Sequence, residues 1–322
     1  FDRKKFLTVA YVGFLVGTFA CGFALNYHFF LLARGVAGCF GGVLGALIMS
    51  VVGDTIAENR RGQAMGMVMA GFSLAAVAGV PLGLLLASHF GWHMPFFFIG
   101  GFGLMVLALI QLFIPTLNSH IAKAKEQGRN IWANYAHVFL NTKHQMAFVF
   151  IILLMLSAFS IIPFFSPYMV SNIGFREDQL PLIYLTGGFA TIFTSRYIGK
   201  LADRHGKLLL FRIFSILTAV IVGVLAHIGR LPIPVVLVLT TIFFIFNNGR
   251  FVPAMAFTTT VAAPQVRGSF MLMNSALQSM GTGLASFIAG LIVTKSPRGE
   301  LQNFVWVCYL AIALAIASVF LS

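Results

Sequence analysis

Long apolar segments separated by short polar loops dominate this sequence. Most are close to the ~20 residues that an α-helix needs to cross the hydrocarbon core of a bilayer. The strands of a membrane barrel would instead be about ten residues long and would alternate apolar and polar positions. The pattern therefore predicts an all-α membrane protein. The ten segments cover residues 7–25, 29–51, 63–88, 94–115, 145–172, 179–198, 208–228, 232–249, 267–294 and 303–322.

Composition supports a protein embedded in the bilayer. Hydrophobic residues make up 59% of the chain and charged residues only 9%, with a mean hydropathy of +0.94. A soluble domain of this size carries roughly a quarter of its residues as charge. Cys21, Cys39 and Cys308 all lie inside apolar segments without CxxC spacing, so we expect packing residues rather than disulfides or metal ligands. No metal or other cofactor is predicted.

The formal net charge of +13 has two explanations, nucleic-acid binding or the enrichment of Lys and Arg in cytoplasmic loops. With residue 1 placed in the cytoplasm, most basic residues fall on the inward side. This asymmetry predicts a multi-pass membrane protein with both chain ends in the cytoplasm and no nucleic-acid partner. The inward residues are Arg3, Lys4, Lys5, Arg60, Arg61, Lys123, Lys125, Arg129, Lys143, Lys200, Arg204, Lys207, Arg212, Arg250 and Arg267; the outward ones are Arg176, Arg230, Lys295 and Arg298.

The longest loop divides the chain. Residues 116–144 are polar and basic, with four apolar segments before them and six after. We therefore predict a first lobe over residues 1–115, a cytoplasmic linker over 116–144 and a second lobe over 145–322.

Two short matches at nearly one offset indicate an internal duplication. Phe1–Leu7 resembles His205–Leu209 at a shift of about 204 positions, and Arg61–Met65 resembles Arg267–Met271 at about 206. Both matches lie at inward loops. The second lobe has two more apolar segments before its charged loop than the first. We infer two pseudo-symmetric lobes, with two N-terminal helices missing from a parent of twelve.

The charged stretch from Gly199 to Lys207 follows the pattern G-x-x-x-D-R-x-G-K between two apolar segments. Charge this dense belongs in water, so we expect a tight hairpin at a membrane face, with Gly199 and Gly206 permitting the turn. Asp203 and Arg204 can pair with neighbouring helix ends. The stretch resembles the signature loop of the major facilitator superfamily of secondary transporters.

Two helix motifs extend the resemblance. The run from Arg34 to Gly38 resembles the R-x-x-x-G motif of the family's fourth helix. Gly79, Pro81 and Gly83 resemble the G-x-P-x-G motif of its fifth helix, which is associated with antiporters of the drug:proton type. The nearest resemblance is to bacterial sugar- and drug-efflux permeases.

This resemblance implies a two-lobed, twelve-helix protein, ten of whose helices are present here, that moves a small organic solute by alternating access. It also implies a bacterial inner membrane, a monomer and export. Protons or another coupling ion would supply the energy, because the sequence has no nucleotide-binding motif. The alternative within the family is an uptake symporter for sugars or related metabolites. Outside the family remain a non-transporting receptor and a membrane-embedded enzyme; we expect no enzyme, because the sequence shows no clustered His, Asp and Glu.

Polar residues inside the apolar segments are candidates for contact with substrate or coupling ion. Arg34 lies some five residues into its segment, and either lines a central cavity or extends to the outer interface. The other candidates either line the cavity or form interhelical hydrogen bonds. They are Tyr168, Asn247, Asn248, Asn274 and Gln278. No Asp or Glu lies in the middle of a segment, so the coupling mechanism stays open.

We expect Asp203 to act as a conformational switch. Its carboxylate would cap the N-terminal end of the third segment, near residues 62–66, with Arg61 beside it, in one transport state only. The alternative is an aspartate that stabilises the turn and sets topology.

Prolines and glycines predict two further features of the helices. Pro163 and Pro167 predict a broken or bent helix in the fifth segment. Groups of small residues predict close packing between helices. The glycines concerned are Gly13, Gly17, Gly38, Gly41, Gly42, Gly45, Gly100, Gly101 and Gly103.

Overall fold

The computed structural model describes residues 3–55, 71, 74–113, 138–262 and 266–322. These residues are almost entirely helical, as the apolar segments predict. They form two compact units, the first containing 3–55, 71, 74–75 and 82–113, the second containing 76–81, 138–262 and 266–322. Most of the predicted linker lies outside the described residues, so the predicted domain bounds stay a prediction.

Up to Phe113 the described chain forms four helices: α1 (Arg3–Gly22), α2 (Tyr27–Thr55), α3 (Val80–Phe90) and α4 (Met94–Phe113). Asn26 caps the N-terminus of α2, where its Oδ1 accepts a hydrogen bond from the Phe29 N–H at 2.8 Å.

The turn between α3 and α4 is joined to the end of α1. The chain turns at Gly91, whose φ of +91° suits glycine. Nδ1 of His93 lies 2.8 Å from the Gly22 carbonyl oxygen. A carbonyl only accepts hydrogen bonds, so this ring nitrogen is the donor. The bond fixes the start of α4 beside the last turn of α1.

Glycines allow α1 to approach α2 and α4 closely. A Cβ atom at any of four glycines would collide with the neighbouring helix, which confirms their predicted packing role. The collisions would be between Gly13 and Phe40, Gly17 and Ala37, Gly100 and Phe19, and Gly103 and Leu15. A second group has nothing within 4 Å of an added Cβ among the described residues: Gly38, Gly42, Gly45 and Gly101.

From Thr142 the chain forms α5 (Thr142–Phe159), α6 (Ile162–Tyr168), α7 (Leu180–His205), α8 (Lys207–His227), α9 (Ile233–Val261), α10 (Arg267–Ile292) and α11 (Phe304–Leu321). A 3-10 turn, Glu177–Gln179, precedes α7. Helix α5 contacts α9, α10 and α11, and α9 also contacts α7 and α8. The core of this unit includes Phe150, Ile151, Leu154 and Met155 of α5, packed with Phe211 and Ala254.

The prediction of a broken or bent helix in the fifth segment is confirmed as a break. Helix α5 ends at Phe159, and α6 begins at Ile162. Pro163 has no N–H to donate to the Phe159 carbonyl, which interrupts the helical ladder. Oγ of Ser286 in α10 contacts that carbonyl at 3.4 Å and shares its single proton with the nearer Thr282 carbonyl, at 3.0 Å. A π-helical turn follows α6 at Met169–Ile173.

A short hairpin that the sequence did not predict lies between α10 and α11. Strands β1 (Thr294–Lys295) and β2 (Leu301–Gln302) pair antiparallel, with Thr294 opposite Gln302. The side chain of Asn172 binds the hairpin from the end of the π-helical turn. Its Nδ2 donates to the Leu301 carbonyl at 3.0 Å, and its Oδ1 accepts from the Leu301 N–H at 2.9 Å.

The structure does not confirm the predicted number of spans. Over the described ranges, eight helical stretches are long and apolar enough to cross a membrane, and one of them joins α5 and α6 as residues 142–173. The predicted segment 63–88 lies partly outside the described residues, and its described end forms the short helix α3. The predicted segment 179–198 corresponds to α7, which is not among the eight.

Candidate functional site

The predicted hairpin from Gly199 to Lys207 is shorter than expected. Residues 199–205 are the last turns of α7, and only Gly206 leaves the helical conformation. Its φ of +98° and ψ of 135° suit glycine. Its N–H donates to the Ala202 carbonyl at 3.0 Å. The prediction of a charged loop was wrong over residues 199–205, because a helix can carry charged residues beyond the bilayer without ending.

The switch prediction for Asp203 is tested only in part, because Asp203 is described and its predicted partners are not. Asp203 and Arg204 are exposed at the end of α7, and no ion pair joins them to another residue in the described ranges. Nζ of Lys207 donates to the Ala256 carbonyl of α9 at 3.2 Å. The predicted partners, Arg61 and the chain near residues 62–66, are not described. The switch therefore stays a prediction.

The motif of Gly79, Pro81 and Gly83 lies at a change of helix type. A π-helical turn, Ala75–Gly79, runs directly into α3, and Pro81 is buried at the second position of α3. Proline has no N–H to give to the carbonyl four residues earlier, so an irregular ladder at this point has a local cause. Gly83 has nothing within 4 Å of an added Cβ among the residues described.

Arg34 is exposed on α2, in the second turn of that helix. The position of an added Cβ at the following glycine, Gly35, is also open, with no described atom within 4 Å. The guanidinium is therefore accessible from one face of α2, as a substrate contact or a side chain extending to the interface would be.

Two predicted candidates are buried inside the second unit. The ring of Tyr168 packs against Phe304, with 4.4 Å between centroids and 31° between ring planes, and its hydroxyl donates to the Ala226 carbonyl at 3.5 Å. It lines a small apolar cavity together with Phe243 and Cys308. Asn274 of α10 is 0% exposed, and neither atom of its amide has a described hydrogen-bond partner.

Three other candidates are only partly buried. Nδ2 of Asn248 donates to Oγ of Ser195, which joins α9 to α7. Oδ1 of Asn247 accepts from the guanidinium of Arg250. Gln278 makes only a weak contact, from Nε2 to the Met255 sulfur at 3.8 Å.

The structure shows that Arg250 was placed wrongly in an inward loop. It lies well inside α9, which continues to Val261, and it is 1% exposed. Its Nη1 donates to Oγ of Ser157 at 2.9 Å. The sequence contained one signal for this, since the apolar residues continue after Arg250 and the predicted segment ended at the first charge.

In the described ranges, no three His, Cys, Asp or Glu side chains lie close enough together to hold a metal ion. Around the candidates in the second unit, the polar groups brought together are the amides of Asn247 and Asn248, the hydroxyls of Ser157 and Ser195, and the guanidinium of Arg250. Such groups bind polar solutes by hydrogen bonds.

Comparison with known proteins identifies the family. The sequence profile of the Major Facilitator Superfamily matches residues 1–247 and 147–322, which together cover the whole chain. The chain belongs to this superfamily. The recognition based on the signature loop and the two helix motifs is thereby confirmed, as is the all-α membrane fold. As a member of this superfamily, the chain is a multi-pass membrane protein of a transporter family.

Curated relatives within the superfamily are distant in sequence. The chain is 23% identical over 320 residues to the uncharacterized MFS-type transporter YbcL of Bacillus subtilis, covering 98% of this chain and 78% of that protein. It is 23% identical over 313 residues to YceJ of the same organism, covering 96% and 78%. A 125-residue match at 34% identity links it to the probable sugar efflux transporter of Mannheimia succiniciproducens, covering 38% of this chain and 30% of that protein.

Proposed function

We propose that this superfamily member exports a small organic solute across a bacterial inner membrane by alternating access, driven by an ion gradient. The match to the family profile along the whole chain is the observation that carries the transport proposal. Export is supported by the G-x-P-x-G motif, which contains the buried Pro81, and by the partial match to a sugar efflux transporter. The excess of Lys and Arg at inward positions supports cytoplasmic chain ends. We take the working unit to be a monomer.

Arg34 is the proposed substrate or coupling contact. It is exposed on its helix, whereas Tyr168 and Asn274 are buried in the described conformation. A guanidinium inside a membrane segment is costly unless it faces a polar cavity, a partner or the interface. Asn248 and Gln278 are secondary candidates, because both are partly exposed.

The transport proposal is tested by flux into and out of proteoliposomes that contain the purified protein. The probes are radiolabelled glucose and lactose and the organic cation ethidium, each with and without a pH gradient. For an antiporter that exports, we expect trapped probe to leave faster when the outer medium is acidic. Accumulation of the probe inside under the same gradient would identify an uptake symporter and reject export. Flux equal to that of protein-free liposomes for every probe would count against transport of these classes.

The switch proposal is tested by Asp203→Asn. Loss of the carboxylate removes the proposed contact with the third predicted segment, near residues 62–66. For a probe whose flux depends on the pH gradient, we therefore expect transport to slow about tenfold with unchanged protein level in the membrane. The matched control is Asp178→Asn, because Asp178 is exposed and already paired with Arg176 at 2.7 Å. Unchanged transport in the Asp203 variant would reject the switch.

A further inference from the structure

A buried guanidinium lies in the middle of α9 without a carboxylate. Arg250 is 1% exposed, and three of its N–H donors are used: Nε and Nη2 bind Oδ1 of Asn247 at 3.2 and 2.9 Å, and Nη1 binds Oγ of Ser157 at 2.9 Å. The sequence has no Asp or Glu between Glu126 and Glu177 or between Asp203 and Glu300. No helix from α8 to α11 therefore carries a counter-charge, and neither does α5.

The C-terminal end of α5 provides partial negative charge for the guanidinium, which has no carboxylate partner. Ser157 lies in the last turn of α5, whose carbonyl groups carry the negative end of the helix dipole. Oγ of Ser157 donates its proton to the Ala311 carbonyl of α11 at 2.8 Å. Its lone pairs are thereby left to accept from Arg250, and each bond of the chain strengthens the next. One guanidinium thus connects α9 to α5 and, through Ser157, to α11.

This connection lies directly beside the Pro163 break. Ser157 is two residues before the end of α5, and the Phe159 carbonyl that Pro163 leaves free contacts Oγ of Ser286 of α10 at 3.4 Å, a hydroxyl whose proton is shared with the Thr282 carbonyl. A helix with an interrupted ladder can bend in more than one direction unless side chains hold it. Here contacts from α9, α10 and α11 meet within one turn of the break.

An anion bound beside Arg250 explains the site less well. The cavity next to the guanidinium contains two hydroxyls, those of Ser157 and Thr218, and is otherwise apolar. Both hydroxyls donate to backbone carbonyls, Ser157 to Ala311 and Thr218 to Phe214 at 2.7 Å. Neither has a proton left for an anion.

We propose that Arg250 is a positioning residue that holds the Pro163 break in one geometry. Only its consequence for transport rests on the proposed function: a fixed bend lets the α5–α6 segment move as one piece during alternating access. A variant that loses the guanidinium bends variably at the break, and it passes more slowly between transport states without losing substrate affinity.

The direct test measures the bend without any substrate. Nitroxide labels at exposed Met146 of α5 and at Val170, beyond the break, report the distance across it by double electron–electron resonance, in the full chain with its native cysteines replaced. The unmodified sequence should give one narrow distance distribution. Arg250→Met should broaden it at least about twofold, and Arg250→Lys, which keeps the charge and can still reach Ser157, should recover part of the narrow form.

Two further variants keep the test decisive. Ser157→Ala removes one of the two acceptors of the guanidinium, and it should broaden the distance distribution less than Arg250→Met does. Its result decides the proposal if Arg250→Met does not fold. Arg196→Met makes the same chemical change at an exposed position of α7 and should leave the distribution narrow. A narrow distribution in both Arg250→Met and Ser157→Ala, or equal broadening in Arg196→Met, would overturn the proposal.

The transport consequence is measured separately. With a probe that the unmodified protein carries, Arg250→Met should lower the maximal flux about tenfold and leave the half-saturating concentration within about twofold. A rise in the half-saturating concentration at unchanged maximal flux would make Arg250 a substrate contact and overturn the positioning role. If no probe is carried, transport of these solute classes is rejected, while the distance measurement still tests the bend.

Discussion

The contact between α1 and α2 at Gly17 gives the sharpest stability prediction. A Cβ added at Gly17 would lie 2.6 Å from the backbone nitrogen of Ala37 and 2.8 Å from its Cα. Backbone atoms cannot rotate away, so Gly17→Ala forces the two helices apart. Such overpacking costs about 1–3 kcal/mol. Alanine recovers about 0.5–1 kcal/mol of that by its better helix propensity.

The net loss of up to about 2.5 kcal/mol should lower the apparent Tm of the purified protein by up to about 4 °C at a fixed scan rate. The matched control is Gly38→Ala on α2, where no described atom lies within 4 Å of the new Cβ. That variant gains propensity without a collision, so its Tm should stay the same or rise. If the two variants have the same Tm, α1 and α2 do not approach each other closely at Gly17.

Two other glycine pairs give predictions of the same kind, each measured as a change in Tm. Gly206→Ala should lose about 1–3 kcal/mol, because φ of +98° strains any side chain, whereas Gly199→Ala, in a helical turn with its nearest neighbour at 3.9 Å, should be neutral or stabilising. Equal losses of stability in the two variants would instead support the predicted hairpin, in which both glycines form the turn. Gly249→Ala would place a Cβ 2.5 Å from the Phe214 ring and should lose up to about 2 kcal/mol, less than a backbone collision because a ring can turn. Gly223→Ala, with 3.8 Å to Ile312, should show no loss, and a loss there would mean that these distances do not decide the cost.

Sequence patterns predicted the features that depend on neighbouring residues. Long apolar segments predicted the helices, and Pro163 predicted the bend, because a proline acts on a carbonyl only four residues away. The signature loop and two helix motifs identified the family, because each is a short run with fixed spacing.

Features that depend on distant residues were not predictable in this way. Arg250 was assigned to a loop because charge usually marks the end of a membrane segment. The groups that make its burial tolerable include Ser157, 93 positions away in sequence. The extension of α7 through His205 was missed for a related reason, since hydropathy reports where a helix leaves the bilayer and not where it ends. The burial of Tyr168 and Asn274 depends on which face of each helix meets its neighbours, and residue type alone does not decide that.

The amide of Asn172 has a mechanical consequence. The side-chain amide donates one hydrogen bond to Leu301 and accepts one from it, as the backbone of a neighbouring strand would do. These two hydrogen bonds connect the end of the 142–173 span to the hairpin that leads into α11. To tilt one of these spans at that end without the other would break both hydrogen bonds, at a cost of about 0.5–1.5 kcal/mol each. Because both hydrogen bonds join uncharged groups, we expect neither acidification nor added salt to weaken them.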